Sequence, residues 1–263
     1  MQFCTLFSGS SGNCAYLSTE RGGLLIDCGM SGKQTLEALR AAGLDISSIH
    51  ALLITHEHGD HTKGAGVISR RLDIPVYATE GTWEGMHRIV GDLPRHRRMS
   101  IRADESFFLD DIEVLPFHIP HDANEPTGFR FYTGRHSVAV ATDLGHFSKF
   151  VFQAVESADI VLLESNHDPE MLKNNPHYPQ RLKTRILGRK GHLSNAAGAQ
   201  AAVQLLGSGT RHLLLGHLSQ ENNTPDIAYQ EVSAALTEAG AIIGEDITLN
   251  VADRWQAGHL YRI

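Results

Sequence analysis

The sequence predicts a layered α/β fold, in which two sheets carry helices on their outer faces. Short apolar or alternating runs, typical of strands, recur along all 263 residues. Segments with helical periodicity lie between these runs and are not collected in a block of their own. This alternation favours α/β layers over a β-sandwich or a helical bundle. No internal repeat, low-complexity tract or Pro/Ser-rich linker divides the chain, so we expect a single domain over residues 1–263.

The first half of the chain begins with strands that are separated by Gly/Ser turns. The predicted strands cover residues 2–8, 14–18, 23–27, 50–55 and 75–78. The predicted helices cover residues 33–42, 62–72 and 82–90. Gly43 supplies the stop signal for the first helix, because glycine tolerates the left-handed backbone at a helix end.

The second half opens with a predicted antiparallel meander and then alternates between helices and strands. The meander strands cover residues 106–109, 112–119, 128–133 and 137–142, with Gly134 at one turn. The later strands cover 159–164, 212–216, 247–251 and 259–262, and the helices cover 147–157, 179–187, 196–206 and 225–239. We expect Asn195 to cap the helix at 196–206.

Composition excludes several classes of protein. No apolar run approaches the ~18 residues of a membrane span, and the N-terminus lacks the basic start and apolar stretch of a signal peptide. Three scattered cysteines exclude a disulfide scaffold and a Cys-rich zinc module, and they fit a reducing compartment. We therefore expect a cytoplasmic protein with no membrane partner. Sixteen histidines are a notable excess and suggest metal chemistry on imidazole.

Charge is distributed unevenly. The net charge of −7 argues against a general nucleic-acid coat. Two strips nevertheless carry only basic charge: residues 181–190 hold five basic residues, and residues 95–102 hold four arginines. These strips are either solvated surface segments or local binding sites for a polyanion.

The strongest motif is Thr55-His56-Glu57-His58-Gly59-Asp60-His61. It follows an apolar strand and precedes a helix, so it lies at the end of a sheet. Residues two apart in an extended segment point the same way, which lets His56 and His58 share one ion. Three imidazoles and a carboxylate within six residues form a nitrogen/oxygen site suited to a divalent metal.

Three further ligand-type residues follow predicted strands. They are His121, Asp143 and His217. Each one alone could be an ordinary turn residue, but the repeated pattern indicates a shared site, because a sheet gathers its strand ends at one edge. His118 is a rival to His121, but it lies inside its strand and lacks the following aspartate.

The motif His56-Glu57-His58-Gly59-Asp60-His61 is followed in order by His121, Asp143 and His217. With this set of residues the chain resembles the metallo-β-lactamase fold hydrolases over essentially its whole length. The resemblance implies an αββα sandwich of two mixed sheets flanked by helices, with a two-metal site at one edge. By position, one ion would be held by His56, His58 and His121. The other would be held by Asp60, His61 and His217, and Asp143 would bridge the two ions. Asp27, in Leu25-Ile26-Asp27-Cys28-Gly29, matches the aspartate that orients ligand imidazoles in the family.

Four other segments are similar to the bacterial YycJ/WalJ-type branch of this family. They are Ser8-Gly9-Ser10-Ser11-Gly12-Asn13, Leu163-Glu164-Ser165-Asn166-His167-Asp168, Gly191-His192-Leu193-Ser194-Asn195 and Gly216-His217-Leu218-Ser219-Gln220-Glu221-Asn222. Members of this branch are single-domain phosphodiesterases associated with DNA exonuclease activity. The resemblance therefore implies a DNA exonuclease. Lysine and arginine side chains of the basic strips would contact phosphates without reading bases, so we expect little sequence preference. DNA is favoured over RNA as the substrate.

Such an enzyme would attack phosphorus with a hydroxide that two divalent ions share, zinc or manganese being favoured. Asp60 and His192 are the expected catalytic residues, with His192 as the acid that protonates the leaving oxygen. The expected phosphate or substrate contacts are Asn13, His167, Arg181, Lys183, Arg185 and Asn195. Asn195 is equally consistent with a plain N-cap role. The alternative for Asn13 is a hairpin residue, and the alternative for His192 is a residue of the turn that enters the helix.

Several alternatives stay open at this point. A small-molecule or cyclic-nucleotide-type phosphodiesterase is the main rival, followed by a thioester or lactone hydrolase and then a non-hydrolytic metal-binding module. The stretch between Asp143 and His217 is too short for the large inserted domain of the ribonuclease J relatives, and no long arm resembles that of ribonuclease Z. The sequence leaves the oligomeric state open, a homodimer included.

Overall fold

A computed structural model describes residues 1–263. Its strands are β1 (Gln2–Phe7), β2 (Cys14–Ser18), β3 (Gly23–Ile26), β4 (Ile49–Leu53), β5 (Val76–Ala78), β6 (Arg98–Ser100), β7 (Phe107–Leu109), β8 (Ile112–His118), β9 (Thr127–Thr133), β10 (His136–Ala141), β11 (Ile160–Glu164), β12 (His212–Gly216), β13 (Thr248–Val251) and β14 (Tyr261–Arg262). They form two seven-stranded sheets, in the orders β14-β1-β2-β3-β4-β5-β6 and β13-β12-β11-β10-β9-β8-β7. Both sheets mix parallel and antiparallel pairs, so the predicted α/β sandwich of two mixed sheets is confirmed.

The helices flank the two sheets. They are α1 (Gly32–Ala41), α2 (Gly59–Thr62), α3 (Ala65–Leu72), α4 (Glu80–Val90), α5 (Lys149–Val155), α6 (Pro169–Asn174), α7 (Gln180–Ile186), α8 (Asn195–Ser208) and α9 (Pro225–Glu238). Short 3₁₀ turns lie at Ile46–Ser48 and Arg95–Arg97. No helix is both long enough and apolar enough to cross a lipid bilayer.

The apolar core forms three layers, and neighbouring strand residues belong to different layers. Leu24 and Leu162 face the layer between the sheets, together with Phe129. Leu25, the next residue after Leu24, belongs to the layer under α1, α3 and α4, and Leu163 belongs to the layer under α5, α8 and α9. Successive side chains on a strand point to opposite faces, so a strand covered on both faces is apolar throughout. This double burial explains the continuous apolar runs of β3, β4, β11 and β12.

Strand direction brings distant parts of the chain to one edge of the sandwich. β3 and β4 are parallel in the first sheet, and β10, β11 and β12 are parallel in the second. β8 and β10 are both antiparallel to β9, so they run in the same direction. Within each sheet the carboxyl ends of these strands therefore share an edge. The two edges coincide, since Nε2 of His61, after β4, lies 3.4 Å from Oδ2 of Asp143, after β10.

Two local predictions differ from the structure. The helix expected over residues 62–72 is divided into α2 and α3. The Gly64 amide donates to the Cys28 carbonyl oxygen at 2.8 Å, and the Asp60 carbonyl oxygen accepts from the Asn13 amide at 2.8 Å. The helical hydrogen bond from residue 64 to residue 60 is therefore replaced by bonds to other segments. The expected capping role of Asn195 is wrong. Ser194 is the N-cap residue of α8, and its hydroxyl accepts from the Ala197 amide.

Two further elements carried no prediction. β6 is a three-residue strand whose side chains are all exposed, so no apolar alternation marks it. α6 is short, but Asp168 caps it and Pro169 occupies its first turn, which is a recognisable helix start. The antiparallel meander from β7 to β10 is as predicted.

Candidate metal centre

The predicted ligands follow strand ends and converge at the shared edge. His56 and His58 lie between β4 and α2, and Asp60 and His61 lie within α2. His121, Asp143 and His217 follow β8, β10 and β12. Asp143 and His217 have φ values of 60° and 55°, in the left-handed region that aspartate tolerates better than most residues.

The first ligand group consists of three imidazoles. Nδ1 of His58 lies 3.0 Å from Nε2 of His56 and 3.3 Å from Nε2 of His121. His56 and His121 are buried, and burial holds the pKa of each below the ordinary value for histidine. Neutral imidazole is the form that offers a lone pair to a metal, so this group fits one divalent ion.

The second group combines a carboxylate with two imidazoles. Oδ2 of Asp60 lies 3.6 Å from Nε2 of His61 and 3.7 Å from Nε2 of His217. Ligand atoms from all three residues lie within 4.8 Å of one another. This mixed nitrogen and oxygen set is the type that divalent transition metals accept.

Asp143 lies between the two groups. One carboxylate oxygen is 3.7 Å from Nε2 of His121, and the other is 3.4 Å from Nε2 of His61 and 2.9 Å from Nδ1 of His217. Burial opposes ionisation of Asp143, but His217 and His61 outweigh it and hold the pKa of the carboxyl well below its ordinary value. The carboxylate is therefore ionised and placed to contact an ion in either group.

Asp27 and Thr55 orient the ligands from behind. Oδ2 of Asp27 lies 2.8 Å from Nδ1 of His61. The Thr55 amide donates to Oδ1 of Asp27, and the Thr55 hydroxyl lies 2.9 Å from Oδ2 of Asp27 and 3.0 Å from Nδ1 of His56. Since Nδ1 of His61 and Nδ1 of His56 are held in this way, Nε2 of each ring faces the ligand cluster. Thr55 is a positioning residue that the motif did not reveal.

We expect Asp27→Asn to lower metal affinity by about 10–100-fold, the usual loss when a partner of a ligand imidazole is changed. Asparagine tolerates the left-handed backbone of Asp27, whose φ is 60°, so the fold should be retained. Titration of the metal-free protein with zinc measures the change. Asp73→Asn is the matched control, because Asp73 has the same φ and lies at the end of α3, apart from the ligands. Equal losses in the two variants would contradict the role of Asp27.

His192 and Glu164 form a hydrogen-bonded pair beside the ligand cluster. Nδ1 of His192 lies 2.7 Å from Oε1 of Glu164. Oε2 of the fully buried Glu164 accepts from the Leu144 and Leu193 amides at 2.7 and 3.0 Å. Burial opposes protonation of His192, but Glu164 outweighs it and raises the pKa of the imidazole to about 9. Glu164 carried no prediction, although an acid at the end of an apolar strand repeats the pattern of Asp27 and Asp143.

A cavity of about 360 Å³ opens over the cluster. Its walls include His58, Asp60, Asp143, His192 and His217. Tyr178, Leu182, Arg185 and Ile186 also line it, from α7 and the segment before α7. A cavity of this size accommodates a small substrate or part of a polymer chain.

Only some of the predicted substrate-contact residues line this cavity. Arg185 lines the cavity but forms an ion pair with Asp122. Lys183 donates to the Lys173 carbonyl oxygen at 2.6 Å, and Arg181 is exposed without lining the cavity. Asn13 is buried behind the cluster, where its amide lies 3.1 Å from Nε2 of His61.

Asn195 cannot contact substrate phosphate, so that prediction needs correction. Its side chain is fully buried and bonds to Ser165 and Asn223 at 2.7 and 2.9 Å. His167 is also buried and does not line the cavity over the ligands. The rival residue His118 is exposed at the end of β8 and belongs to neither ligand group.

Comparison with known proteins identifies the family. Residues 23–218 match the model of the Beta-lactamase superfamily domain. The chain belongs to the metallo-β-lactamase superfamily. Its hydrolases use divalent metals, and the two ligand groups lie where such ions can be bound. The fold agrees with that of the metallo-β-lactamase fold protein YhfI from Bacillus subtilis, with a TM-score of 0.72 at 17% identity, covering 98% of this chain and 100% of that one.

Two bacterial relatives match at higher identity. Exodeoxyribonuclease YycJ from Bacillus anthracis is 38% identical over 253 residues, which is 96% of each chain. Exodeoxyribonuclease WalJ from Streptococcus pneumoniae serotype 2 (strain D39) is 38% identical over 247 residues, covering 93% of this chain and 91% of the relative. These matches confirm the predicted resemblance to the YycJ/WalJ branch.

Proposed function

We propose that this protein is a metal-dependent phosphodiesterase that hydrolyses DNA from chain ends with little sequence preference. The observation that carries this proposal is the position of Asp143 between two ligand groups, with His192 facing the same cavity. The relatives named exodeoxyribonucleases share 38% identity with the chain over nearly its full length, which supports DNA as the substrate.

The donor set fits two divalent ions. His56, His58 and His121 would hold one ion, Asp60, His61 and His217 would hold the other, and Asp143 would contact both. Bound there, the ions would lower the pKa of water and stabilise negative charge on the phosphoryl oxygens. Zinc and manganese both accept such ligands.

The protein's own residues supply orientation and a proton. Asp27 and Thr55 fix the ring planes of His61 and His56. Glu164 binds Nδ1 of His192, which leaves Nε2 as the ring nitrogen available to the cavity. A protonated His192 can give its Nε2 proton to the leaving oxygen of the diester, because an alkoxide is a poor leaving group without one. In the metal-free protein, Glu164 raises the pKa of His192 to about 9, so the imidazole carries this proton at neutral pH before any ion is bound.

The direct test incubates metal-loaded protein with end-labelled single- and double-stranded DNA and RNA, beside a chromogenic diester. We expect stepwise shortening of DNA from its ends and slower cleavage of RNA. Turnover of the small diester without cleavage of any polymer would replace the proposal with a small-molecule phosphodiesterase. Internal cleavage of closed circular DNA would contradict action from chain ends.

The basic strip at residues 181–190 is expected to bind the DNA backbone. Replacing Arg181, Lys183 and Arg185 with glutamine should weaken DNA binding equally for all sequences. It should also reduce the slope of log affinity against log salt by about 2–3, because each phosphate that the variant no longer binds changes the slope by about one. Arg185 can exchange Asp122 for a phosphate, since both partners are anionic.

The matched control makes the same charge change in the other strip, at Arg95, Arg98 and Arg102. None of these three lines the cavity over the ligands. Fluorescence anisotropy with labelled DNA at several salt concentrations measures both triple variants. Equal effects in the two strips would mean that net charge, not the position of residues 181–190, determines binding.

A further inference from the structure

Residues 176–190 lie between α6 and His192 and contain α7, the only helix of the protein without a buried residue. No other residue of this segment, which we call the strap, is buried either. Its large apolar side chains belong to none of the three core layers; they are Tyr178, Leu182, Ile186 and Leu187. Most helices are held in place by burial of an apolar face, so the strap depends on other contacts for its position.

Both ends of the strap are fixed. Asn175, just before it, is buried, and its side-chain amide donates to Oδ1 of Asn222 at 2.7 Å. Gly191, just after it, is also buried, and its carbonyl oxygen lies 3.2 Å from Nδ1 of His121. Local opening costs least free energy where few buried apolar contacts are broken. The strap is therefore built to move between two fixed ends.

Between its ends, the strap bonds to the protein beyond α6 at two places. Arg185 forms an ion pair with Asp122, in which the two side chains are 56% and 28% exposed. The Arg189 carbonyl oxygen lies 3.1 Å from Nδ1 of His146. Ion pairs as exposed as the first contribute little to stability, and phosphate is an equally good partner for a guanidinium. The pair of Arg185 and Asp122 is therefore a latch that a DNA phosphate can replace.

The strap borders the cavity over the metal ligands. Tyr178, Leu182 and Ile186 line this cavity, so the apolar groups that the core does not use lie next to the space for a nucleotide. The strap also carries five basic residues and no acidic one, so its charge is complementary to a DNA backbone.

We propose that the strap is a lid, which opens to admit the end of a DNA chain and closes over its last nucleotide. This inference rests on the proposed function. In the closed complex Arg185 pairs with a backbone phosphate in place of Asp122, and Leu182 and Ile186 pack against the nucleotide. Closure of this kind holds the substrate during the reaction, and reopening releases the product.

Hydrogen exchange measured by mass spectrometry tests the mobility of the strap. The helix α9 is the internal reference, because it buries Ala228, Val232 and Leu236. We expect the amides of α7 to exchange at least about 100-fold faster than those of α9. Phosphorothioate DNA, which resists hydrolysis, should slow exchange in α7 of the zinc-loaded protein at least about tenfold. Equal exchange in the two helices, or no slowing by bound DNA, would overturn the proposal.

Arg185→Gln tests the latch by the same measurement. Without DNA, this variant should exchange about 2–5-fold faster in α7, which is the shift expected from the loss of an exposed ion pair. Arg102→Gln is the matched control, because Arg102 pairs with Glu105 at 3.5 Å outside the strap. This control should leave exchange in α7 unchanged. Identical exchange in the two variants would refute the latch and, with it, the proposal.

Replacing both Leu182 and Ile186 with serine tests the contact with the nucleotide. Neither side chain belongs to the core, so the melting temperature should be retained. We expect KM for DNA to rise at least about tenfold, because apolar surface no longer packs against the substrate. Leu187→Ser is the control, since Leu187 is in the strap but does not line the cavity over the ligands. The same KM in both variants would overturn the proposal.

Failure of the lid can be distinguished from failure of the proposed function. If the protein cleaves DNA but bound DNA leaves exchange in α7 unchanged, only the lid proposal fails. If the protein hydrolyses a chromogenic diester but neither binds nor cleaves DNA, the proposed function fails, and closure over DNA fails with it.

Discussion

Replacing Asp60 with alanine should lower the rate of DNA cleavage by about 10³-fold, the loss expected when several kcal/mol of charge stabilisation are removed from the transition state. Asp60 is the carboxylate of the group that contains His61 and His217. The three-histidine group of His56, His58 and His121 does not use Asp60, so its ion should remain. We therefore expect metal analysis to find two ions per chain in the wild-type protein and one in the variant.

Asp92→Ala is the control for this experiment, because Asp92 is exposed and belongs to neither ligand group. Circular dichroism and the melting temperature of the metal-free proteins show whether the fold is preserved. If Asp60→Ala cleaves DNA as fast as the wild-type protein, the assignment of Asp60 as a ligand is wrong. Two ions retained in the variant, with activity lost, would instead place Asp60 in substrate binding.

Replacing His192 with alanine is expected to slow DNA cleavage by about 10²–10⁴-fold, the usual contribution of a general acid. The loss should be much smaller for a diester that releases 4-nitrophenolate, because this anion leaves without a proton. Glu164→Gln keeps a hydrogen-bonding side chain next to Nδ1 of His192 but removes the charge that raises its pKa. We expect this variant to lie between the wild-type protein and His192→Ala, with the same dependence on the leaving group.

The leaving-group comparison distinguishes proton donation from a structural effect. A variant that has only disturbed the site should lose activity equally on both substrates. His118→Ala is the matched control, since His118 is exposed at the end of β8 and should leave both rates unchanged. Equal losses in His192→Ala on DNA and on the nitrophenyl diester would contradict proton donation.

Local sequence signals were sufficient for most of the fold. β2 and β12 have the predicted bounds, and the other predicted strands differ only at their ends. Strands buried on both faces are continuous apolar runs, which are visible directly in the local sequence. The exposed strand β6 and the division between α2 and α3 were not visible, because each depends on neighbours from elsewhere in the chain. Cys28, for example, accepts a hydrogen bond from the Gly64 amide only in the folded protein.

The ligand motif could also be predicted from a local signal in the sequence. His56, His58, Asp60 and His61 lie within six residues, so their proximity is a property of the chain itself. The three downstream ligands could be identified because each follows an apolar strand, and parallel strands end at one edge. The same signal was present at Glu164, which ends β11, but a single acid there is also consistent with an ordinary turn residue.

Periodicity and motif spacing are local properties of the chain, and they were enough to predict the two-sheet architecture and the ligand types. The family followed from the resemblance that the ordered ligand residues carry. Which polar side chains remain available for a substrate became clear only in the folded protein. Asn195 is enclosed by Ser165 and Asn223, Lys183 bonds to Lys173, and His192 is held by Glu164. Hydrogen-bond partners for a buried side chain come mainly from segments distant in sequence. Their identity is therefore settled only when the segments that follow β11 and β12 pack against α7 and α8.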